Sequence, residues 1–104
     1  MANNIIQLNS KFILALDDEF DIVTLVKQGL QKYGFNIFAF TDPLMALEDF
    51  KIKYNNCSLI LSDIRMPGMN GYEFVKKAKE IDKQVKIVLM SAFEINDRVS
   101  QTIA

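Results

Sequence analysis

Two aspartates stand side by side at Asp17-Asp18, with Glu19 and Asp21 close behind, and a further aspartate, Asp63, lies two residues before Arg65. Each group follows a short apolar run, KFILAL at 11–16 and CSLILS at 57–62. A third run, KIVLM at 86–90, leads directly to the hydroxyl of Ser91. Clustered carboxylates with no histidine or cysteine among them suit a hard divalent cation, Mg2+ above all, since Zn2+ prefers nitrogen and sulfur. Mg2+ held by one or two carboxylates keeps positions open for water and phosphate oxygens. A neighbouring aspartate can then act as nucleophile toward a phosphoryl group and form an aspartyl phosphate. The cation and nearby donors would offset charge on the transferred group. Any one of these acidic residues alone is more ordinarily a solvated loop residue or a helix cap. Three of them at neighbouring strand ends would make a site.

For the carboxylates to meet, the apolar runs must be adjacent strands. The run at 11–16 is too short for a helix and apolar on both faces, as a strand covered on both sides should be. From Phe20 to Tyr33 the spacing turns helical, with Val23, Val26 and Leu30 on one face, and Gly34 ends it. A second strand is expected at Asn36–Phe40. Thr41 or Asp42 can cap the next helix, which has Pro43 at its first position and Leu44, Leu47 and Phe50 as its apolar stripe to about Tyr54. The third strand is 57–62, followed by the turn chemistry of MPGMN at 66–70. A third helix runs from Gly71 to about Asp82, with Phe74, Val75 and Ala78 inward and Lys76, Lys77 and Lys79 outward. The fourth strand is 86–90, and 96–104 begins a fourth helix. Alternating strand and helix predicts one α/β domain, a parallel sheet wrapped by helices on both faces. Ligands of such sheets bind outside the carboxyl ends of the strands, where the carboxylates sit. The first turn carries acid instead of phosphate-cradling glycines, which disfavours a dinucleotide site.

Composition narrows the chemistry further. The chain has 104 residues, half of them hydrophobic, and a net charge of −1. That fits one domain and argues against a basic nucleic-acid-binding surface. No apolar run approaches a membrane span, and the start shows no secretory signal. The single Cys57 excludes an internal disulfide and reads as a core residue of a reduced, cytoplasmic protein. The absence of any histidine removes imidazole bases, imidazole ligands and a phosphohistidine donor.

The segments LALDDE at Leu14–Glu19, LILSDIRMPGMNGYE at Leu59–Glu73 and KIVLMSA at Lys86–Ala92 resemble the receiver domains of two-component response regulators in order and spacing. The resemblance implies a doubly wound, flavodoxin-like sheet, here with strand order 2-1-3-4. It implies that Asp63 is the phosphoacceptor, and that Asp17 and Asp18 position Mg2+ with Asp63 and the backbone carbonyl of Arg65. Ser91 matches the hydroxyl that contacts the phosphoryl group and switches on activation. The side chains of Glu19 and Arg65 occupy positions that tune dephosphorylation, and Pro67 and Gly71 match the turn after the acceptor. The implied donor is a histidine kinase or a phosphotransfer protein, met at the first helix near Phe20 and Ile22. Such a domain is a stoichiometric acceptor with slow self-dephosphorylation, not a turnover enzyme.

The chain departs from that family at one place. Receivers carry a lysine at the end of a fifth strand, beyond a crossover of a dozen or more residues, whereas this chain ends thirteen residues past Ser91. Residues 1–104 are therefore read as a receiver domain incomplete at the C-terminus, its fifth strand and last helix missing. Strand four would then be an exposed apolar edge, and the chain is expected either to be less stable or to form a homodimer through that edge. The missing lysine also supports an alternative, a receiver-like interaction module that works without phosphorylation. An aspartate-nucleophile phosphatase of the haloacid-dehalogenase kind is a weaker third reading, since its acids are spaced D-x-D while Asp17 and Asp18 are adjacent.

Overall fold

In a computed structural model of the protein, the described residues are 11–90. Strand β1 (Phe12–Leu16) is buried at all five positions, as a run apolar on both faces requires. Helix α1 (Phe20–Gln31) follows, and the chain turns at Gly34, whose φ of +88° is open to glycine at little cost. Strand β2 (Ile37–Phe40) leads to α2 (Pro43–Lys53) and one 3-10 turn (Tyr54–Asn56). Strand β3 (Cys57–Asp63), helix α3 (Gly71–Ile81) and strand β4 (Ile87–Met90) complete the described chain. The sheet is parallel in the order β2-β1-β3-β4, and among the described residues it has four strands.

Side chains alternate between faces along a strand, so β1 feeds two cores. Ile13 and Ala15 pack with Val23 of α1, and with Val26 and Leu30 beside it. Phe12, Leu14 and Leu16 pack on the opposite face with Ala46, Leu47 and Phe50 of α2 and Phe74 and Ala78 of α3. Phe50 and Phe74 are among the largest side chains fully removed from water. Each such burial contributes about 1.5–3 kcal/mol relative to exposure.

The start of α2 is as expected, while Leu44, Val75 and Lys79 differ from expectation. Asp42 caps α2, its Oδ1 accepting from the Leu44 N–H at 2.9 Å, and Pro43 takes the first helical position. The stripe facing the core is Pro43, Ala46, Leu47 and Phe50, whereas Leu44 is 62 % exposed. Pro43 and Leu47 occupy the inward face one turn apart, which rotates Leu44 to the solvent side. Val75 of α3 is only half-buried, and Lys79 does not simply face water, since its Nζ donates to the Val85 carbonyl across the α3–β4 turn. Strand β4 pairs with β3 on one side; on its other side the described residues supply no strand. The helix expected at 96–104 lies outside the described residues.

Candidate functional site

The register of β1 against β3 sets Leu16 beside Ser62, so the next residues, Asp17 just past β1 and Asp63 at the end of β3, stand side by side at the carboxyl edge of the sheet. Ladder bonds secure both exits. The Asp17 N–H donates to the Phe40 carbonyl at 3.1 Å, and the Ile64 N–H donates to the Met90 carbonyl at 2.8 Å. Asp17 is 8 % exposed and Asp63 9 %, while Asp18 faces solvent. One carboxylate oxygen from each of Asp17, Asp18 and Asp63 lies within 4.8 Å of the others. Asp21 stands in the exposed first turn of α1, outside this group.

Burial and crowding show in the acidities. The Asp17 carboxyl is pushed up to about 6, chiefly by burial and further by the neighbouring Asp63, Asp18 and Glu19 carboxylates. The Glu19 N–H, donating to Asp17 Oδ1 at 2.9 Å, pulls in the other direction. Asp63 is raised as well, first by burial and then by Asp18, against the backbone N–H groups of Ile64 and Arg65. Three carboxylates held this close repel one another, and a divalent cation relieves that repulsion. The donor set is all oxygen: the chain has no histidine, and Cys57 lies at the opposite end of β3 from Asp63. Burial pushes the Cys57 thiol up, as befits an inert packing residue. The residues present therefore fit Mg2+.

After Asp63 the chain turns through 64–70 into α3. Met66 and Met69 are buried in the core, so the turn is anchored by its own apolar side chains. Asn70 caps α3, its Oδ1 accepting from the Glu73 N–H at 2.9 Å. Arg65 is exposed and lines an open cleft with Ile64, Met66, Pro67, Asn70 and Tyr72. Gly71 sits where a side chain would not fit: a Cβ there would come 2.6 Å from the Asp63 carbonyl oxygen and 2.9 Å from the Ile64 Cα.

Of the residues singled out in the sequence, Asp17, Asp18 and Asp63 come together, and Arg65 borders them through the loop. Ser91 lies outside the described residues. Sequence reasoning passed over Ser62, which looked like one more position of a buried strand. It is fully buried, and its hydroxyl donates to the Asp63 carbonyl at 3.0 Å. A polar residue inside an apolar run, next to the candidate nucleophile, was the only available signal.

Comparison with known proteins agrees with this geometry. The family model described as the response regulator receiver domain matches residues 13–104. The sporulation initiation phosphotransferase F of Bacillus subtilis (strain 168) is 30 % identical over 95 residues, spanning 91 % of this chain and 74 % of that protein. The response regulator protein TrrA of Thermotoga maritima, solved in complex with Mg2+ and BeF, superposes with a TM-score of 0.71 at 33 % identity, covering 88 % of this chain and 79 % of that one. The CheX–CheY–BeF3–Mg2+ complex from Borrelia burgdorferi gives 0.75 at 28 % identity, covering 89 % and 70 %. Among the described residues no helix is long and apolar enough to cross a membrane. Strand order and the span of the family match agree, and the chain belongs to the response regulator receiver domain family.

Proposed function

We propose that this chain is a phosphoacceptor of two-component signalling, taking a phosphoryl group on Asp63 in a Mg2+-dependent step and changing its partner binding as a result. The observation that carries this reading is the meeting of Asp17, Asp18 and Asp63 at the carboxyl edge of the sheet. Asp17, Asp18 and Asp63, with the Arg65 backbone carbonyl, would hold the cation. Bound there, Mg2+ supplies charge stabilisation to the oxygens of the transferred group.

In the step itself an ionised Asp63 oxygen attacks the phosphorus of a phosphohistidine on a histidine kinase or phosphotransfer protein. The O–P bond forms as the P–N bond breaks, and the imidazole leaves with the electron pair and takes up a proton. The result is an acyl phosphate on Asp63. Its added charge favours new hydrogen bonds nearby, and Ser91, which follows β4, is the hydroxyl assigned to them. Phe20, 71 % exposed at the start of α1, offers an apolar contact beside the site for the donor. The domain acts stoichiometrically, and water returns it slowly to the free carboxylate. It is not a turnover enzyme.

The test is incubation with Mg2+ and acetyl phosphate or phosphoramidate, followed by intact mass. A gain of one phosphoryl group that Asp63→Asn and chelation both abolish is the expected result. No gain, with Mg2+ bound and the fold intact, would instead favour a receiver-like interaction module working without phosphorylation.

A further inference from the structure

We propose that Ser62 is a positioning residue for the acceptor: its buried hydroxyl holds the Asp63 carbonyl and so aims the Asp63 carboxylate. The proposal deepens the phosphoacceptor reading and rests on it. Ser62 shares a face of β3 with Ile60, two residues earlier, and so points into the core beneath α2 and α3, away from the acidic mouth. A hydroxyl buried there must find a partner. It donates to the carbonyl of the very next residue, at 3.0 Å.

That carbonyl belongs to the peptide joining Asp63 to Ile64, and the same peptide is held in two further ways. The Ile64 N–H donates to the Met90 carbonyl at 2.8 Å, and in the following peptide the Ile64 carbonyl accepts from the Gly71 N–H at 2.7 Å. The missing Cβ of Gly71 lets the start of α3 close on the Asp63 oxygen. The direction of a Cα–Cβ bond follows from the backbone atoms on either side of it. Holding the Asp63–Ile64 peptide therefore fixes where the Asp63 carboxylate starts, before the side chain's own torsions act. The strand ladder holds one end of that peptide and α3 holds the other. The Ser62 hydroxyl is the side-chain group that sets the carbonyl itself.

The experiment compares Ser62→Thr, which keeps the donor, with Ser62→Val, which has nearly the same shape without it, and with Ser62→Ala. Phosphorylation by acetyl phosphate is followed as saturating rate and half-saturating concentration, alongside Mg2+ affinity by calorimetry and urea midpoint. The expected result is a saturating rate about 10-fold lower in Val and Ala, within the roughly 100-fold that an ångström of misplacement can cost. Half-saturation should stay unchanged, Mg2+ affinity should weaken with the rate in Val and Ala because Asp63 also faces the cation, and Thr should remain near the parent in both. Equal saturating rates in Thr and Val overturn the proposal, as does a rate loss that follows the urea midpoint across all three variants. If Val does not fold, Ala against Thr decides by the same criterion. A parent protein that takes up no phosphoryl group overturns the phosphoacceptor reading, and this proposal with it; a phosphorylated parent with indifferent variants overturns this proposal alone.

Discussion

Asp17 carries the largest electrostatic strain in the site. Its carboxyl is held near 6 by burial and by the acids around it, against an ordinary value of 3.8. The raised value means that the folded chain binds this proton more tightly than the unfolded chain. Ionisation of Asp17 therefore costs stability as pH rises from about 4 through about 6, and that cost persists at neutral pH while no cation is bound. A cation must also displace the proton, so Mg2+ affinity should weaken as pH falls below about 6. Calorimetric titration at pH 5 and pH 7.5 should show the weaker binding at pH 5, and Asp17→Asn should weaken binding and flatten its pH dependence. A Kd independent of pH between these values would count against the shift. Asp63 is raised in the same direction, so acceptance of a phosphoryl group should also slow in acid, as the neutral carboxyl is a poor nucleophile.

Among the elements, α3 is the one tied most closely to the site. Asn70 caps it, Phe74 and Ala78 bury it, and Gly71 lets it close on the backbone that bears Asp63. Gly71→Ala would place a methyl 2.6 Å from the Asp63 oxygen, against backbone that cannot swing aside. The expected cost is about 1–3 kcal/mol, typical of forcing a methyl into a packed site, read as a lower urea midpoint. A change within ±0.5 kcal/mol would show that α3 can move off the loop. Helix α2 illustrates how local signals and packing differ. Thr41 or Asp42, with Pro43, marked its start in the sequence by capping chemistry alone, which needs no tertiary partner; the structure selects Asp42. Which apolar residues face inward depended on how the helix rolls on the sheet, and Leu44 was rolled out.

At the scale of the molecule, the acidic cluster couples metal binding to folding. Because the unfolded chain scatters Asp17 and Asp63 along the sequence, Mg2+ at 100 times its Kd should raise stability by about 2.7 kcal/mol. Chelation should reverse the rise, and Asp63→Asn should reduce it; identical urea curves with and without Mg2+ would overturn the site. Much of this was legible from residue order alone. Short apolar runs, their alternation with helical spacing, a cap at Thr41 or Asp42 and the turn at 66–70 are local patterns, and local patterns survive in one dimension. The oxygen-only donor set and the missing histidine are matters of composition, equally visible. Tertiary structure decided what depends on register and layering: that Asp17 leaves the sheet beside Asp63 while Asp21 does not, that burial lifts Asp17 to about 6, that Lys79 reaches back to Val85, and that the Ser62 hydroxyl meets the acceptor's own carbonyl. Those facts rest on contacts between residues from six to tens of positions apart or on which way a strand faces, and a sequence read along its length carries neither.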